Sequence, residues 1–569
     1  MIVKVEHAGL VLALRRLESL ADRIDTQAGW ANQATPIGLP SLSVLPAKAR
    51  WMRDQVPDLE RLAALALLLD TGAEGSVSFE TSGSEWDVQA MFDSVVAQRF
   101  GPDFQESTGL TDDEFRDLML TFGSVGQTDL PADSGIMSAG DLQQLIIANP
   151  DLARALTTLR PRPGTGPEGT LAGLLTDAFV APGGADELHE QRRLDARDLF
   201  EGLGGEQAAI LAMMFPSTVG NLPGVPFDQR ADANTVRIVV ALEDEQDELG
   251  DLKDQHEHNQ GDWDFLGRNN DDLDGPIGES EDLIDLYESI LRDDRQILYF
   301  DPSGDGAMAE LHDPIDSSTR NVGVLVPGTT AELSNFDGNA KRSRTFSDNN
   351  SAGELSMITW MGGDLPDSIV ADAPFANYSV ALGPGLADFS HDVRLEIDRA
   401  GSEAQVTYAG HSYGGAVVGR SELHGLDADR VLHIESAGMG HDVEDADDLS
   451  SSQSGVDRYS MTAPGDIIGE TQGTQVGDNI GHGADPDEFE GTTRLHTGDK
   501  VDGSPNTGLN SHTTVFEVGS DAWQNMYGVF TGGTVETYRS PHYEYVRSTY
   551  GVSSYQDGWN DDGERIDIE

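Results

Sequence analysis

The sequence predicts an α/β protein: a doubly wound, mostly parallel sheet in the C-terminal half, preceded by an all-α N-terminal region. Three observations indicate this division. Up to about Arg292, apolar residues recur at three- and four-residue steps, the period of an amphipathic helix. After Arg295, short apolar runs alternate with helical segments, as in parallel βαβ units. One such run, Val406–Ala409, leads directly into a Gly-rich turn and a segment of small residues.

Composition and charge narrow the functional classes. The 569 residues can form several domains, and 100 acidic against 36 basic residues give a net charge of −64. Such a surface repels nucleic acid, so we expect no nucleic-acid partner. Cysteine is absent, which excludes disulfides and a thiolate nucleophile. No apolar run reaches the roughly 18 residues of a membrane span, so no transmembrane segment is expected.

Residues 1–75 are predicted to form a helical hairpin. Apolar residues at helical spacing from Leu10 to Ala28 are followed by a Pro/Gly-rich break, Thr35–Pro46, and a second helical segment, Ala47–Asp70. Charged residues interrupt the first apolar run, so we expect no conventional signal peptide. The compartment therefore stays open between the cytoplasm and export by another route.

The break in this hairpin carries a resemblance. Gly29-Trp30 is similar, in reversed order, to the W-x-G region of helical-hairpin substrates of type VII secretion. This implies a secretion machinery or another protein partner for the N-terminal helices. A purely structural hairpin is the alternative.

Residues 76–250 are predicted to be a helical region and residues 251–285 an acidic linker. The expected helices of the first region are Val88–Phe100, Thr111–Phe122, Ser138–Leu159, Leu194–Phe215 and Asp228 to about Glu248.

The acidic linker contains a weak calcium candidate. Asn270, Asp272, Asp274 and Glu281 have the spacing of ligands in an EF-hand loop. The first ligand is Asn where Asp is usual, and Pro276 follows the loop glycine. A helix is expected from Glu281 to Arg292.

Residues 286–540 are predicted to form the α/β domain, and residues 541–569 an acidic C-terminal tail. The turn at Asp301–Gly306 begins like a calcium loop, but a hairpin turn is the better interpretation because His312 stands at the twelfth position. A helix is expected over Leu386–Ala400. The predicted strands are Gln296–Asp301, Ala307–Leu311, Asn321–Val326, Ser356–Trp360, Val406–Ala409, Val431–Ile434, Arg458–Thr462 and Thr493–His496.

The turn after Val406–Ala409 reads G-x-S-x-G over Gly410–Gly414, the form of a nucleophile elbow in α/β hydrolases. A sharp turn pushes the hydroxyl of Ser412 clear of the sheet, and small residues on either side let neighbouring backbone approach. The alternative is an ordinary strand-to-helix turn, so the assignment depends on finding catalytic partners.

Partners stand where this fold places them, in the order Ser, acid, His, on loops after later strands. Asp466 follows the strand Arg458–Thr462 on a tight turn, and His512 lies in a Gly/Asn-rich loop after the next strand. Ser412 would attack, His512 would take its proton, and Asp466 would orient the imidazole.

Other residues compete for these roles. Asp442, one strand after the elbow, is an alternative acid, and His441, His482 and His496 are alternative bases. His411 either shapes the pocket or is structural. The expected oxyanion donors are the backbone N–H groups of Tyr413 and, in the loop after Val326, of Thr329 or Thr330.

The segments NVGVLVPGTTAEL, VTYAGHSYGG, YSMTAPGDIIG and NSHTTVF resemble an actinobacterial α/β-hydrolase family of unknown function. The resemblance covers roughly Met214–Gly532. It implies a hydrolase fold with Ser412, Asp466 and His512 in the catalytic positions, and an N-terminal helical region ahead of it. It does not indicate a substrate.

Two functional hypotheses follow. The first is a serine hydrolase acting on ester, thioester or amide bonds of a small-molecule or lipid-like substrate, with no cofactor. The second is a non-catalytic helical interaction or secretion-associated module that carries a degenerate hydrolase fold.

Overall fold

The computed structural model describes residues 2–6, 76–80, 138–159, 171–174, 187–263, 271–350, 352–466, 468, 472–477, 479–548 and 551–568. The chain divides into two compact units. The first comprises Met1–Thr176, Asp198–Thr218 and Thr235–Val240, and the second comprises Asp177–Arg197, Val219–Asn234 and Ala241–Glu569.

The N-terminal half is mostly helical where it is described. Its helices are α1 (Ala139–Ile147), α2 (Pro150–Thr158), α3 (Leu171–Leu174), α4 (Glu187–Leu203), α5 (Gly205–Met214), α6 (Pro216–Val219), α7 (Phe227–Trp263) and α8 (Asp271–Asp293). The predicted helix Ser138–Leu159 is two helices, because Pro150 disfavours helical geometry in the preceding residue and begins a new helix.

Two short strands in this half were not predicted. β1 (Ile2–Glu6) pairs antiparallel with β2 (Ser76–Glu80). The predicted hairpin helices and the helices Val88–Phe100 and Thr111–Phe122 lie outside the described residues. In the described part of the chain, no helix combines the length and apolar character needed to cross a bilayer.

The predicted calcium loop is wrong. Asp272, Asp274 and Glu281 all lie within helix α8, whose regular geometry does not wrap its side chains around an ion. Asn270 lies outside the described residues. Glu281 instead pairs with Lys253 at 2.8 Å, and Asp274 contacts His256 at 3.6 Å, both on α7. Acidic residues along a helix had reproduced the spacing of a ligand loop by chance.

The second unit contains the predicted doubly wound sheet. Its strands are β3 (Gln296–Asp301), β4 (Ala307–Leu311), β5 (Asn321–Val326), β6 (Leu355–Met361), β7 (Gln405–His411), β8 (Arg430–Ile434), β9 (Asp457–Met461) and β12 (Thr492–Arg494). They lie in the order β12-β9-β8-β7-β5-β6-β4-β3. β4 pairs antiparallel with both neighbours, and all other pairs are parallel. The fold class is confirmed, and the turn at Asp301–Gly306 joins β3 and β4 as a hairpin.

The chain changes direction across the sheet at β5. It moves one way to β6 through α9 (Phe336–Asp348), then back past β5 to β7 through α10 (Asn377–Ala400), and on to β8 through α11 (Tyr413–Glu422). Right-handed crossovers in opposite directions place α9 on one face and α10 and α11 on the other. Loops after β5 and β7 therefore diverge at the carboxyl edge, where open α/β sheets bind ligands.

The core on the α9 face includes aromatic residues from α13 (Asp521–Thr531). The Phe346 ring stacks on Trp523 with centroids 5.3 Å apart and contacts Phe530 at 4.8 Å. Leu325 and Leu432 of the central strands are buried in the same cluster. A short helix, α12 (Ser511–Thr514), precedes α13 and follows the sheet's last strand in sequence.

Two N-terminal segments of the second unit dock onto α10 through buried charges. Arg193 and Arg230 both pair with Asp392, whose carboxylate also accepts from the Gly224 amide at 2.9 Å. Burial alone would raise the pKa of Asp392, but the charges of Arg193 and Arg230 outweigh it and lower that pKa. Residues 187–197 and 219–234 are thus an integral part of the second unit.

We expect Asp392→Asn to lower the free energy of unfolding by about 3–5 kcal/mol, because it leaves two buried guanidinium groups without their shared carboxylate. Urea denaturation measures the difference. Asp398→Asn, on the exposed side of the same helix, is the matched control and should change stability by less than about 0.5 kcal/mol. Equal effects of the two substitutions would show that the buried cluster does not hold these segments in place.

The C-terminal segment differs from the predicted acidic tail. β14 (Pro541–Ser548) and β15 (Gly551–Trp559) form an antiparallel hairpin, and β16 (Arg565–Asp567) pairs with β13 (Thr534–Glu536). Ile568 is buried against the α13 core. Another two-stranded pair, β10 (Gln475–Val476) with β11 (Ile480–Gly481), lies between β9 and β12 in the chain.

Candidate active site

Ser412 occupies a strained turn between β7 and α11. Its backbone has φ 56° and ψ −123°, a conformation that non-glycine residues rarely adopt. Its amide donates to the Ile434 carbonyl, and its carbonyl accepts from the Ala437 amide, both at 3.0 Å. The loop after β8 therefore holds the turn from both sides.

Glycines around this turn make room for neighbouring backbone. A Cβ on Gly414 would lie 2.3 Å from the Val326 carbonyl oxygen, and a Cβ on Gly410 would lie 2.3 Å from the Gly414 oxygen. A Cβ on Gly328, in the loop after β5, would lie 2.7 Å from Ser412 Cβ. The G-x-S-x-G spacing thus has the steric reason expected from the sequence, and the β5 loop lies directly against the elbow.

Asp466 and His512 meet after β9 and β12. His512 Nδ1 lies 2.9 Å from Asp466 Oδ2, with the Asp466 side chain fully buried. Burial alone would raise the pKa of Asp466, but hydrogen bonds from His512 and from the Ile468 amide lower it. An ionised carboxylate on Nδ1 selects the tautomer in which Nδ1 carries the hydrogen, and this leaves Nε2 free to accept a proton.

The sequence analysis missed a second buried carboxyl group, Glu435. It is the first residue after β8, has φ 45°, and is fully buried. Its Oε1 accepts from the Ala463 amide at 3.0 Å, and an oxygen of Glu435 lies within 4.8 Å of an oxygen of Asp466. Burial and, secondly, the Asp466 charge raise the pKa of Glu435 well above its usual range. Burial beside a second carboxyl group therefore favours the neutral form of Glu435.

The position of Glu435 in the sequence could have identified it as a candidate site residue. It directly follows a predicted strand of the parallel sheet, so it must lie at the same carboxyl edge as Ser412. Among the described residues, Glu435, Asp466 and His512 are also the group whose ligand atoms, within 4.8 Å of one another, could hold a metal ion. A cation there would displace the proton of Glu435 and compete with the Asp466–His512 hydrogen bond.

We expect Glu435→Gln to stabilise the protein at neutral and alkaline pH. Because the folded-state pKa is raised, the folded protein keeps a proton that the unfolded chain releases above about pH 4.3. The free energy of unfolding therefore falls as pH rises from that value towards the folded-state pKa, by up to about 1.4 kcal/mol per pH unit. Gln keeps the hydrogen bond from the Ala463 amide and has no proton to lose.

Thermal unfolding from pH 5 to 9 measures this effect, and the Tm advantage of the variant should grow with pH. Glu403→Gln removes one exposed carboxylate elsewhere and serves as the control for surface charge. A Tm difference that is negative or constant across this range would contradict a neutral Glu435.

The loop after β5 narrows the choice of oxyanion donors. The Thr330 amide donates to the Pro366 carbonyl at 2.7 Å, so it is already used. A Cβ on Gly328 would lie 3.1 Å from the Tyr413 nitrogen, which places this loop beside the amide that follows Ser412. Tyr413 and Thr329 thus remain the two expected donors.

His411 lies beneath His512. Its Nε2 donates to the His512 carbonyl at 2.8 Å, and its ring contacts Phe516 edge-on with centroids 5.1 Å apart. Burial, then the charges of His512 and Arg342, lower the pKa of His411 to about 3. This neutral imidazole therefore supports the backbone of His512.

The competing residues have other partners. Asp442 is exposed and pairs with Arg420 at 2.8 Å. His441 Nδ1 bonds to the Gly481 carbonyl at 3.0 Å, and His482 Nε2 bonds to the Ala373 carbonyl at 2.7 Å. His496 is buried against the Trp559 ring, with centroids 4.4 Å apart. These contacts give each of the four a local structural role.

Residues 301–476 match the model of a protein family described as alpha/beta hydrolase. The matched segment contains Ser412 and Asp466. Together with the sheet topology, the match shows that the C-terminal half has the α/β-hydrolase fold, as the sequence resemblance implied. The family match therefore supports a hydrolase as the class of protein.

Two curated relatives are uncharacterized proteins of Mycobacterium tuberculosis, MT2140 of strain CDC 1551 / Oshkosh and Rv2079 of strain ATCC 25618 / H37Rv. Each is 25% identical over 382 residues, which cover 61% of this chain and 56% of the relative. The match thus spans little more than half the length of these relatives. Their mycobacterial origin agrees with the actinobacterial family that the sequence resembles.

Similar solved structures include an α/β serine hydrolase without a lid from Xanthomonas campestris. It is 13% identical, with a TM-score of 0.22, and the match covers 35% of this chain and 83% of that chain. A hyperthermophilic esterase from Pyrobaculum calidifontis is 14% identical, with a TM-score of 0.18, and the match covers 33% of this chain and 57% of that chain.

Proposed function

We propose that this protein is a serine hydrolase that cleaves carboxylic esters through an acyl-enzyme intermediate. Ser412 is the nucleophile, His512 the general base and acid, and Asp466 the residue that orients His512. The observation that carries the proposal is the 2.9 Å Asp466–His512 hydrogen bond at the sheet edge where Ser412 is held in a strained turn. The backbone of His512 is also held close to the elbow, because its carbonyl accepts from Nε2 of His411, the residue before Ser412, at 2.8 Å.

In the first half-reaction, Ser412 Oγ attacks the ester carbonyl carbon while its proton passes to His512 Nε2. The negative charge that develops on the carbonyl oxygen is stabilised by the N–H groups of Tyr413 and Thr329. His512 then protonates the leaving alkoxide as the C–O bond breaks. In the second half-reaction, His512 deprotonates a water molecule, which attacks the acyl carbon. The imidazolium then returns this proton to Ser412 Oγ as the acyl–oxygen bond breaks and the acid is released.

The buried carboxyl pair suits the charge changes at His512. When His512 becomes an imidazolium, the ionised Asp466 stabilises it directly. A neutral Glu435 adds no second negative charge beside Asp466, which favours the ionised form of Asp466 in a buried setting where ionisation is otherwise costly. Glu435 is therefore a positioning residue that acts through Asp466.

Exposed apolar side chains beside the elbow favour an ester that contains a hydrocarbon portion. The Tyr413 hydroxyl donates to the Phe375 carbonyl at 2.6 Å, and Phe375 forms a β-bridge with Ile480. The side chains of both Phe375 and Ile480 are exposed, as is that of nearby Val380. An apolar surface at this position can bind the hydrocarbon part of an ester.

A fluorophosphonate probe tests the proposal directly. We expect one probe per chain, attached at Ser412 when the labelled peptide is mapped. A series of p-nitrophenyl esters of increasing acyl length then identifies the preferred chain. A folded protein that neither reacts with the probe nor hydrolyses any of these esters would favour the non-catalytic alternative.

A further inference from the structure

A groove of about 610 Å³ lies beside the candidate active site on the α9 face of the sheet. We call it the basic groove, and its lining includes Lys341, Arg342, Lys500, Thr513, Thr514 and Phe516. The chain has only five lysines among its 36 basic residues, and two of them line this groove. In a protein with a net charge of −64, such a local concentration of cations is unexpected from composition alone.

Arg342 is the central cation of the groove. Its guanidinium lies over the Phe516 ring, 5.3 Å from the centroid, and Nη1 donates to Asn339 Oδ1 at 3.3 Å. No salt bridge joins Arg342 to a carboxylate in the described part of the chain. Burial lowers the pKa of Arg342, which is the behaviour of a desolvated cation without a counter-ion.

Arg430, in β8, is buried without a carboxylate partner among the described residues, and its guanidinium donates to Asn321, Gln405 and the Val529 carbonyl instead. Other half-buried and buried arginines of this unit do pair with carboxylates. Arg295 pairs with Glu310 at 2.6 Å, and Arg458 pairs with Glu422 at 2.5 Å. Because acidic residues outnumber basic ones almost threefold, a counter-ion for Arg342 was readily available in the sequence. An arginine left unpaired within a groove can offer its planar donor set to an anionic ligand.

Two carboxylates also line the groove, but they leave it with a net positive charge. Asp502 Oδ1 accepts from the amide and the hydroxyl of Ser504, at 2.9 and 2.6 Å, so this oxygen is used within its own turn. Glu517 is exposed at the rim. Neither forms a salt bridge with Arg342.

The groove is continuous with the elements that hold His512. Thr513 and Thr514 follow His512 directly, and Phe516 contacts both Arg342 and the ring of His411. The charge of Arg342 also acts on His411, the residue that precedes Ser412. A ligand group in the groove therefore lies close to the candidate catalytic residues, on the face opposite α10 and α11.

We propose that the basic groove binds an anionic group, a carboxylate or a phosphate, of the ester substrate. The hydrolase then prefers esters that carry a negative charge away from the scissile bond. This inference rests on the proposed function and specifies its substrate class. Ion pairing and hydrogen bonds from Arg342 supply most of the selectivity, and Lys341 and Lys500 attract the anion from solution.

The test compares p-nitrophenyl glutarate, which has a free carboxylate, with its uncharged methyl ester. We expect kcat/KM to be about tenfold higher for the charged ester at low ionic strength, mainly through KM, with the difference shrinking as salt is added. Arg342→Gln should remove this preference. Arg344→Gln, on the same helix but 3.8 Å from Asp337, is the matched control and should keep it.

A readout without hydrolysis separates this inference from the proposed function. Calorimetric titration of the Ser412→Ala protein with glutarate and with inorganic phosphate should show binding that Arg342→Gln weakens about tenfold, and the tighter ligand identifies the preferred anion. Hydrolysis of both esters with equal kcat/KM would overturn the inference alone. Arg342-dependent anion binding in a wild-type protein that hydrolyses neither ester would overturn the proposed function and support an anion site.

Discussion

Ser412→Ala is expected to reduce kcat for ester hydrolysis by about 10⁶, the scale of nucleophile loss in a serine hydrolase. The substitution removes only the hydroxyl that would form the acyl bond. It should leave the fold intact, because the hydrogen bonds that hold this turn come from the backbone of residue 412. Fluorophosphonate labelling should vanish together with turnover.

The matched control is Ser421→Ala, in helix α11, which follows the elbow. Ser421 is also buried, and its hydroxyl donates to the Val418 carbonyl within the helix, so alanine is tolerated there. We expect kcat/KM within about twofold of wild type and a similar Tm for both variants. Wild-type-like hydrolysis by Ser412→Ala would refute a covalent mechanism at this residue.

The sheet could be predicted from the sequence because its strands are short, continuous apolar runs bounded by turn residues. β5 is buried along its whole length and contains only Val, Leu and Gly after Asn321, so no polar face interrupts its pattern. The elbow was recognisable for a steric reason, since Gly410 and Gly414 stand where a Cβ would collide with backbone. Local rules of this kind need no tertiary information.

The elements that sequence analysis missed depend on distant partners. Glu435 resembles a surface residue until β8 and β9 place it against the Ala463 amide and Asp466. β16 is part of an acidic terminus, and its pairing with β13 requires residues about thirty positions earlier. The wrong calcium loop has the same origin, because ligand spacing along the chain does not determine whether the backbone forms a loop or helix α8.

The second large effect on kcat is expected from breaking the hydrogen bond between Asp466 and His512. Asp466→Asn is expected to lower kcat by about 10⁴, because an amide at this position stabilises the wrong imidazole tautomer and cannot balance the charge of the imidazolium. KM should change little, since Asp466 is buried and does not contact the substrate. Initial rates with a p-nitrophenyl ester, together with far-UV circular dichroism, separate loss of catalysis from loss of fold.

Asp442→Asn is the matched control for this substitution, because Asp442 follows the neighbouring strand and was the alternative acid. Its side chain is 58% exposed and pairs with Arg420, a contact with little expected influence on His512. We expect its kcat to stay within about twofold of wild type. If Asp442→Asn caused the larger loss, the acid would belong to the loop after β8, and the buried pair of Asp466 and Glu435 would have only a structural role.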